Sequence, residues 1–473
     1  MPNTESQNWD IICVGAGSAG LPLAIRAAER GAKILQIDVD KRIGGTLHWS
    51  SGQIAAAGNR LQKNAGIEDS ADEHYNDAQR VAHNKIDPVV MRLFADNAGD
   101  TIDWLEDIGF KPAAGTPVAG EAHEAYSTRR YLWGDNQGLS ILEALQPVHE
   151  KMVADGKIDL RLEHRMTGLV TDDSGAVVGV KVDTPKGEQT FHGKNIVLAT
   201  GGYAAGPELW NELNPEIPLC SHCNPFSRGD GLVAARELNA QIDGKEKFLC
   251  TFAGYLEDPN DPTSGEFLTL SPKARNIWEI FVNTNGKRFM KEDHQSIDYR
   301  ERALLKQPGM RMNVVMDSAI LQNAASITVM DPKTYRAKFG NHPSFVKADT
   351  IEGLAKELGV PGDALQQTID DYNAAVEAKH DAAFDKFFLI RKIEKAPFYA
   401  IKGMGITVLG PEGVQVDKDL RVLNTNGKAI PNLYAAGEVL GFGRTSGDAF
   451  VGGLSLTPAL AFGKILGERI LNW

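Results

Sequence analysis

Three glycines mark where chemistry begins in this chain. In the run DIICVGAGSAGLPLAIRAAERGAKILQIDVD, Gly15, Gly17 and Gly20 stand where an apolar stretch gives way to a helical pattern. Bare backbone at such a junction suits a phosphate-bearing ligand. Gly15 permits a tight turn, Gly17 lets backbone approach a pyrophosphate, and Gly20 lets helix and strand pack closely. The helix that opens around Ser18 and Ala19 offers free N–H groups and a partial positive charge. Asp38 closes the next apolar stretch, with Val39 beside it, where a carboxylate accepts hydrogen bonds from a ribose. A lone G-x-G-x-x-G says little, but inside a complete βαβ unit it is a strong dinucleotide signal.

Other chemistries find less support. Cys220 and Cys223 have C-x-x-C spacing, but only Cys13 and Cys250 accompany them, and a zinc or iron–sulfur site needs more ligands at recognisable spacing. Ordinary reduced thiols and no metal are expected. Cys13 lies inside an apolar stretch and reads as inert core. The formal net charge of −12 argues against a nucleic-acid or anionic-membrane surface. The start, MPNTESQNWD, lacks a basic run and an apolar core, so no signal peptide is expected, and no apolar run is long enough to span a bilayer. The expectation is a cytoplasmic protein without nucleic-acid partners or membrane insertion.

The elements that must position these residues follow from periodicity. WDIICVGAG and AKILQID read as buried parallel strands and SAGLPLAIRAAERG as the helix between them, ending at Gly31. IGGTLHWSSGQIAAAG is a second glycine-rich segment, in which Gly44, Gly45, Thr46, Ser50, Ser51 and Gly52 let backbone run beside a flat ring system. PVVMRLFADNAGDTIDWLEDIGF predicts one or two amphipathic helices. IDLRLEHRMTGLVTD, which contains Met166, and AVVGVKVDT predict strands. KNIVLATGGYAAG is another buried strand entering glycines, past Ala199, Thr200 and Gly201, which with Met166 and Asp230 are candidate cofactor contacts. GDGLVAARELNA starts a helix at Asp230. From about residue 245 the composition shifts, and ADTIEGLAKELGVPGDALQQTIDDYNAAVEAKHDAAFDKF is helical, polar and Ala-rich. Sheet grammar returns near Pro397, and GGLSLTPALAFGKILGERILNW is a last helix with Pro458 in its first turn. At 473 residues this predicts residues 1–245 and 393–473 as two parts of one nucleotide domain, with residues 246–392 as an inserted domain.

The motifs VGAGSAG, IGG, LATGGY, GDG, FVNTNGKRF and IPNLYAAGEV…FG occur in this order across almost the whole chain. This pattern resembles the FAD-dependent fumarate reductase/succinate dehydrogenase flavoprotein superfamily, which includes 3-ketosteroid Δ1-dehydrogenases. The resemblance implies an α/β fold: a GR2-type Rossmann-like FAD-binding domain with an inserted α+β capping domain, mobile over the flavin. It implies FAD, and Gly437 and Glu438 as contacts to its ribityl–phosphate part. It also sets Ser455 and Leu456, at the N-terminus of the last helix, against the flavin N1–C2=O edge. Only one nucleotide fingerprint is present, so electrons must come from or go to an external donor or acceptor. The position of the linking histidine of succinate dehydrogenases is held by Thr46, with His48 out of register, which implies non-covalent FAD.

The family pattern breaks at the substrate. Fumarate reductases hold a dicarboxylate with cationic side chains, because two carboxylates need charge-assisted partners. The matching positions here are Leu409 and Phe450, and a third falls near Ser296–Ile297, with Arg300 close by. The turn AFVGGLSLTP keeps the glycines of the 3-ketosteroid dehydrogenases, with Gly453 at the carbonyl-binding position, while Ala449 replaces a tyrosine. By resemblance, the site is nearer in character to those dehydrogenases. The expected reaction is hydride transfer between flavin N5 and a carbonyl-conjugated C=C of a largely apolar small molecule, ketosteroid-like or another enone. Gly453 N–H polarises the carbonyl, and Tyr299, or next His294, exchanges the proton. YSTRRYLWG, with Arg129 and Arg130, reads as a loop that either lines the substrate mouth or packs on the surface. Two alternatives stand: a fumarate-reductase-like reductase of an unsaturated carboxylic acid, held by Arg129, Arg130, Arg300 or Arg302, and a flavin electron-transfer protein with no substrate of its own.

Overall fold

The computed structural model describes residues 9–120 and 123–472. The chain divides into two compact units. One holds the described residues up to Leu209, Cys223–Phe248 and those from Leu409 onward; the other holds Trp210–His222 and Leu249–Val408.

The first unit is built on an eight-stranded sheet among the described residues. Its parallel centre runs Ala429–Ala435, Gly187–Leu198, Trp9–Val14, Ile34–Ile37, Ile158–Arg161. Trp9–Val14 is buried nearly throughout, as a strand covered on both faces must be, which is why its sequence is a continuous apolar run. Val177–Thr184 and Arg165–Thr171 extend the sheet antiparallel from Gly187–Leu198. The helix Gly20–Glu29 follows the first strand, and Gly31 then takes a positive φ of 83° that releases the chain into the next strand. Pro88–Asp107 is one helix, capped by Asp87, whose side chain accepts from Val89 N and Val90 N.

The last helix, Leu456–Arg469, packs along Gly20–Glu29. The contact is backbone to backbone: a Cβ at Gly463 would stand 2.0 Å from the Ala19 carbonyl oxygen, and one at Gly467 would stand 2.5 Å from that of Leu23. Gly463 and Gly467 are one helical turn apart, so both glycines face the same neighbour.

The second unit holds a six-stranded sheet in the order Gly265–Phe267, Thr251–Leu256, Phe398–Ile406, Arg311–Asp317, Ile280–Val282, with Phe345–Ala348 also paired to Phe398–Ile406. All of these pairs are antiparallel. Helix Ile351–Leu358 is bounded by Thr350, which accepts from Gly353 N, and by Gly359 in the left-handed region at φ 69°. Helix Gly362–Ala378 follows and ends before the predicted helical run does; residues 380–397 form no further helix. Among the described residues, no helix is long and apolar enough to cross a membrane.

Candidate active site

In the first unit the predicted phosphate loop is bare backbone packed on backbone. A Cβ at Gly15 (φ 117°) would stand 2.1 Å from the Ala199 carbonyl oxygen, and one at Gly20 would stand 1.9 Å from that of Gly15. Here the glycines are required by close approach as much as by turn geometry. Gly17 faces the second glycine segment, where a side chain would meet Gly45 Cα at 3.8 Å and Gly44 O at 4.0 Å. Gly44 N donates to Ala16 O at 2.8 Å, which ties the two segments together. Ala19 caps Gly20–Glu29 with no side-chain hydrogen bond, and the first turn holds no acid, so the positive helix end is left for an anion. Asp38 accepts from Ala16 N at 2.6 Å and Asp40 N at 2.8 Å, and burial raises its pKa.

Behind the loop lies a buried polar chain that sequence reasoning missed. Gln36 Nε2 donates to Gly15 O at 3.1 Å, so its Oε1 accepts from His149 Nε2 at 2.6 Å. Burial lowers the His149 pKa to about 4 and keeps the ring neutral.

Two side chains around the loop carry buried oxygens without a partner among the described residues: Thr200 Oγ1 and Glu438 Oε1. Both were predicted as cofactor contacts. Glu438 lies against Gly202, where a Cβ would meet its Oε1 at 2.2 Å. Burial raises the Glu438 carboxyl pKa to about 7, and backbone N–H groups of Gly202 and Gly410 only partly offset this. A buried acceptor this costly fits a ligand hydroxyl, and the glycine cradle fits a pyrophosphate; the residues present therefore suit FAD.

The remaining predicted cofactor residues are placed as follows. Gly45–His48 is a short 3-10 turn that includes Thr46, entered through Gly44 at φ 111°. Ser50 Oγ accepts from Gly52 N at 3.0 Å, and Gly52 packs on the Gln137 backbone; Ser51 is exposed. Val39 follows Asp38, Ser18 precedes Ala19, and Met166 is buried in its strand. Gly201 has φ 75°. Asp230, at the start of helix Asp230–Glu237, accepts from Arg165 Nη2 at 2.7 Å and Nε at 2.9 Å. Gly437 has φ 85° and lies over Ala19 Cβ. His48 Nε2 is 2.9 Å from Ile43 O.

The turn before the last helix is pinned to a short two-stranded piece, Ile54–Ala55 with Tyr131–Leu132. A Cβ at Gly453 (φ 80°) would stand 2.4 Å from Ala55 N, and Ala55 N donates to Thr457 Oγ1 at 2.8 Å. Ser455 caps Leu456–Arg469 with no side-chain hydrogen bond and no acid in the first turn. Gly453 N–H has no acceptor among the described residues. The arginines of YSTRRYLWG divide. Arg129 is exposed, whereas Arg130 is fully buried between Asp69 (2.8 Å) and Asp77 (2.7 Å), so it braces the fold. Tyr131–Leu132 is a strand rather than loop.

In the second unit the predicted catalytic residues lie around helix Ile297–Leu305, capped by Ser296. Tyr299 is 39% exposed and stacks on His294 at 4.0 Å; its hydroxyl accepts from Lys291 N at 3.3 Å. His294 Nδ1 accepts from Ser296 N at 3.1 Å, which leaves the proton of the neutral ring on Nε2. Arg300 is only 2% exposed. Its guanidinium donates to Leu270 O at 2.6 Å and lies 5.1 Å over the Phe252 ring, with no carboxylate within ion-pair distance among the described residues. Burial lowers its pKa to about 10. None of the four cysteines forms a disulfide.

A parallel sheet, a glycine cradle at its strand ends and two buried oxygens without a partner among the described residues suit a bound nucleotide. The FAD binding domain family model matches residues 10–449, and the chain belongs to that family, within the fumarate reductase/succinate dehydrogenase flavoprotein superfamily. Its cofactor is FAD, and it is an FAD-dependent oxidoreductase acting on CH–CH groups. The chain is 29% identical over 476 residues to a probable fumarate reductase, Ifc3, of Shewanella frigidimarina (strain NCIMB 400), covering 98% of this chain and 75% of that one. It superposes on the open conformation of a flavocytochrome c3 fumarate reductase with TM-score 0.75 and 27% identity, over 98% of this chain and 78% of that one. It shares its fold with a 3-ketosteroid Δ1-dehydrogenase from Sterolibacterium denitrificans, with TM-score 0.78 and 19% identity, over 98% and 99% of the two chains.

Proposed function

We propose that this oxidoreductase transfers hydride between FAD and the C=C of a largely apolar substrate conjugated to a carbonyl, and that a dicarboxylate is a poor substrate. FAD supplies the hydride through N5. The protein's own residues orient the substrate and move the proton. The observation that carries this reading is the Gly452–Gly453 turn. Gly453 N–H, without an acceptor among the described residues, stands beside a helix N-terminus that no side chain caps, and its chain neighbours are Ala449, Phe450 and Val451 rather than cations. An N–H and a positive helix end stabilise negative charge as it develops on a carbonyl oxygen when hydride reaches the β-carbon. A dicarboxylate needs two charge-assisted clamps. The two buried arginines of the first unit are already engaged: Arg130 by Asp69 and Asp77, Arg444 by Asp87 and the Val414 carbonyl.

The α-carbon proton is assigned to Tyr299, with His294 stacked on it as the next candidate. A neutral phenol gives its proton to the α-carbon, and the phenolate left behind is reprotonated from solvent. FAD is held without a covalent link in this reading, since Thr46 stands at the position of the linking histidine and His48 lies out of register. A second reading is favoured by Arg300. A buried guanidinium without a carboxylate partner is costly, and a substrate monocarboxylate would offset that cost.

The test is anaerobic reoxidation of reduced enzyme by a 3-ketosteroid dienone, 2-cyclohexenone, an acrylate-type monoacid and fumarate. Reoxidation by enones is expected. Reoxidation by fumarate alone overturns the proposal. Reoxidation by the monoacid, lost in Arg300→Gln, selects the second reading. Tyr299→Phe should abolish turnover with FAD retained, and unchanged turnover removes Tyr299 from the mechanism.

A further inference from the structure

Tyr126 belongs to the YSTRRYLWG segment and has no place in the mechanism above. It is buried, and its hydroxyl donates to the Gly452 carbonyl oxygen at 2.5 Å. The Arg130 guanidinium lies 4.9 Å over its ring and is itself fixed by Asp69 and Asp77. On another side His74 meets the ring edge to face at 5.5 Å. Both His74 nitrogens lack partners among the described residues, and burial drops its pKa to about 3, so it packs as a neutral ring. Tyr126 is thus a rigid donor, aimed at one peptide oxygen.

That peptide matters. Gly452 C=O and Gly453 N–H belong to one trans peptide unit and point in opposite directions. Two successive glycines leave the peptide plane free to rotate unless something holds it. Gly452 already packs its α-carbon on the Tyr131 ring, and Gly453 packs on Ala55. The Leu454 N–H to Val451 O bond closes a turn around the two glycines, which leaves the plane between them able to flip, and the Tyr126 hydroxyl is bonded to that plane.

We propose that Tyr126 is a positioning residue for the reaction: by holding the Gly452 carbonyl it aims and polarises the Gly453 N–H that receives the substrate carbonyl. This rests on the role given to Gly453 above. A hydrogen bond accepted by a peptide oxygen strengthens the N–H donor of the same peptide. A cation over the phenol ring draws electron density from it and makes its O–H the better donor. Burial raises the Tyr126 pKa far above its ordinary value, so the hydroxyl keeps its proton at every working pH.

The test compares wild type with Tyr126→Phe as FAD-loaded enzymes, reduced anaerobically. The readouts are saturating reoxidation rates with 2-cyclohexenone and a 3-ketosteroid dienone, and with ferricyanide, which needs no carbonyl anchor. The enone rates should fall about three- to ten-fold, the size of one neutral hydrogen bond, while flavin content and the ferricyanide rate stay unchanged. Equal enone rates in the two proteins overturn the inference alone. A wild-type enzyme that no enone reoxidises overturns the functional reading, and the inference with it. If Tyr126→Phe fails to hold FAD, 3-fluorotyrosine at the same position keeps the hydroxyl and strengthens it as a donor. Its enone rate should match or exceed wild type, and a slower rate overturns the proposal.

Discussion

Glu438 offers the most quantitative handle on the flavin site. Burial lifts its carboxyl pKa from 4.5 to about 7 in the protein without ligand, and its Oε1 has no partner. A ligand hydroxyl donating to that oxygen favours the ionised form and returns the pKa toward its ordinary value. A return from about 7 to 4.5 corresponds to ~3 kcal/mol of coupling between carboxylate and ligand. The sign follows from proton linkage: the ligand-free protein binds the extra proton between the two pKa values, so FAD must displace it there. FAD affinity should therefore rise with pH through the acid range and level off above about pH 7. Full restoration of the pKa corresponds to roughly thirty-fold tighter binding at about pH 8 than at about pH 5.5. In the ligand-free protein the same raised pKa makes stability fall as pH rises between the two values.

The assay is quenching of FAD fluorescence by deflavinated protein across that pH range, repeated with Glu438→Gln. The amide removes the titration, so the variant's affinity should lose most of its pH dependence while the fold is kept. A wild-type affinity that is flat with pH, or a slope that survives in Glu438→Gln, refutes the assignment of this carboxylate to the cofactor.

Two further outcomes follow from packing. In Gly463→Ala the new methyl meets the Ala19 carbonyl oxygen at 2.0 Å, so urea denaturation should show a loss of about 1–3 kcal/mol, with weaker FAD binding because Ala19 caps the phosphate-binding helix. Gly362→Ala meets nothing within 4 Å and should be neutral or slightly stabilising, which makes it the matched control. Burial pushes the thiols of Cys13 and Cys220 up to about 12 and that of Cys250 higher still. At about pH 8 roughly one in ten thousand such groups is thiolate, so a disulfide reagent should titrate only Cys223 quickly in the folded protein. Rapid reaction of two or more thiols would contradict this burial.

The flavin end of the molecule was legible because it is made of backbone. Gly15, Gly20, Gly44 and Gly45 leave a mark in the sequence: a side chain there would meet main chain at close range or sit at a positive φ that favours glycine. The same physics acts at Gly463 and Gly467, yet these went unread. Within a helix a glycine carries no turn signal, and the partner, Gly20–Glu29, is more than four hundred residues away in the chain. Sheet grammar was legible from near Pro397, but not Phe398–Ile406 as the strand at the heart of the second sheet. Its own pattern says that it is buried and says nothing of Arg311–Asp317 or Phe345–Ala348 beside it.

The substrate end resists reading for a different reason, and two arginines show it. Arg130 and Arg300 are both buried arginines beside an aromatic ring, and both were equally open as carboxylate anchors in the sequence. Arg130 receives Asp69 and Asp77 from positions 61 and 53 residues away, whereas Arg300 receives a carbonyl oxygen from Leu270 and the face of Phe252. Nothing local separates the two, because an ion pair is a property of where the other chain segment lands. The paired arginine has its charge spent inside the protein, where it lies over the ring of Tyr126, whose hydroxyl donates to the Gly452 carbonyl. Arg300, with no carboxylate within ion-pair distance among the described residues, keeps a charge that an anion from outside can match. Arg300→Gln therefore separates two chemistries with one substitution: an enone reductase should lose little, since its carbonyl is held by Gly453 N–H, while an enoate reductase should lose most of its substrate affinity.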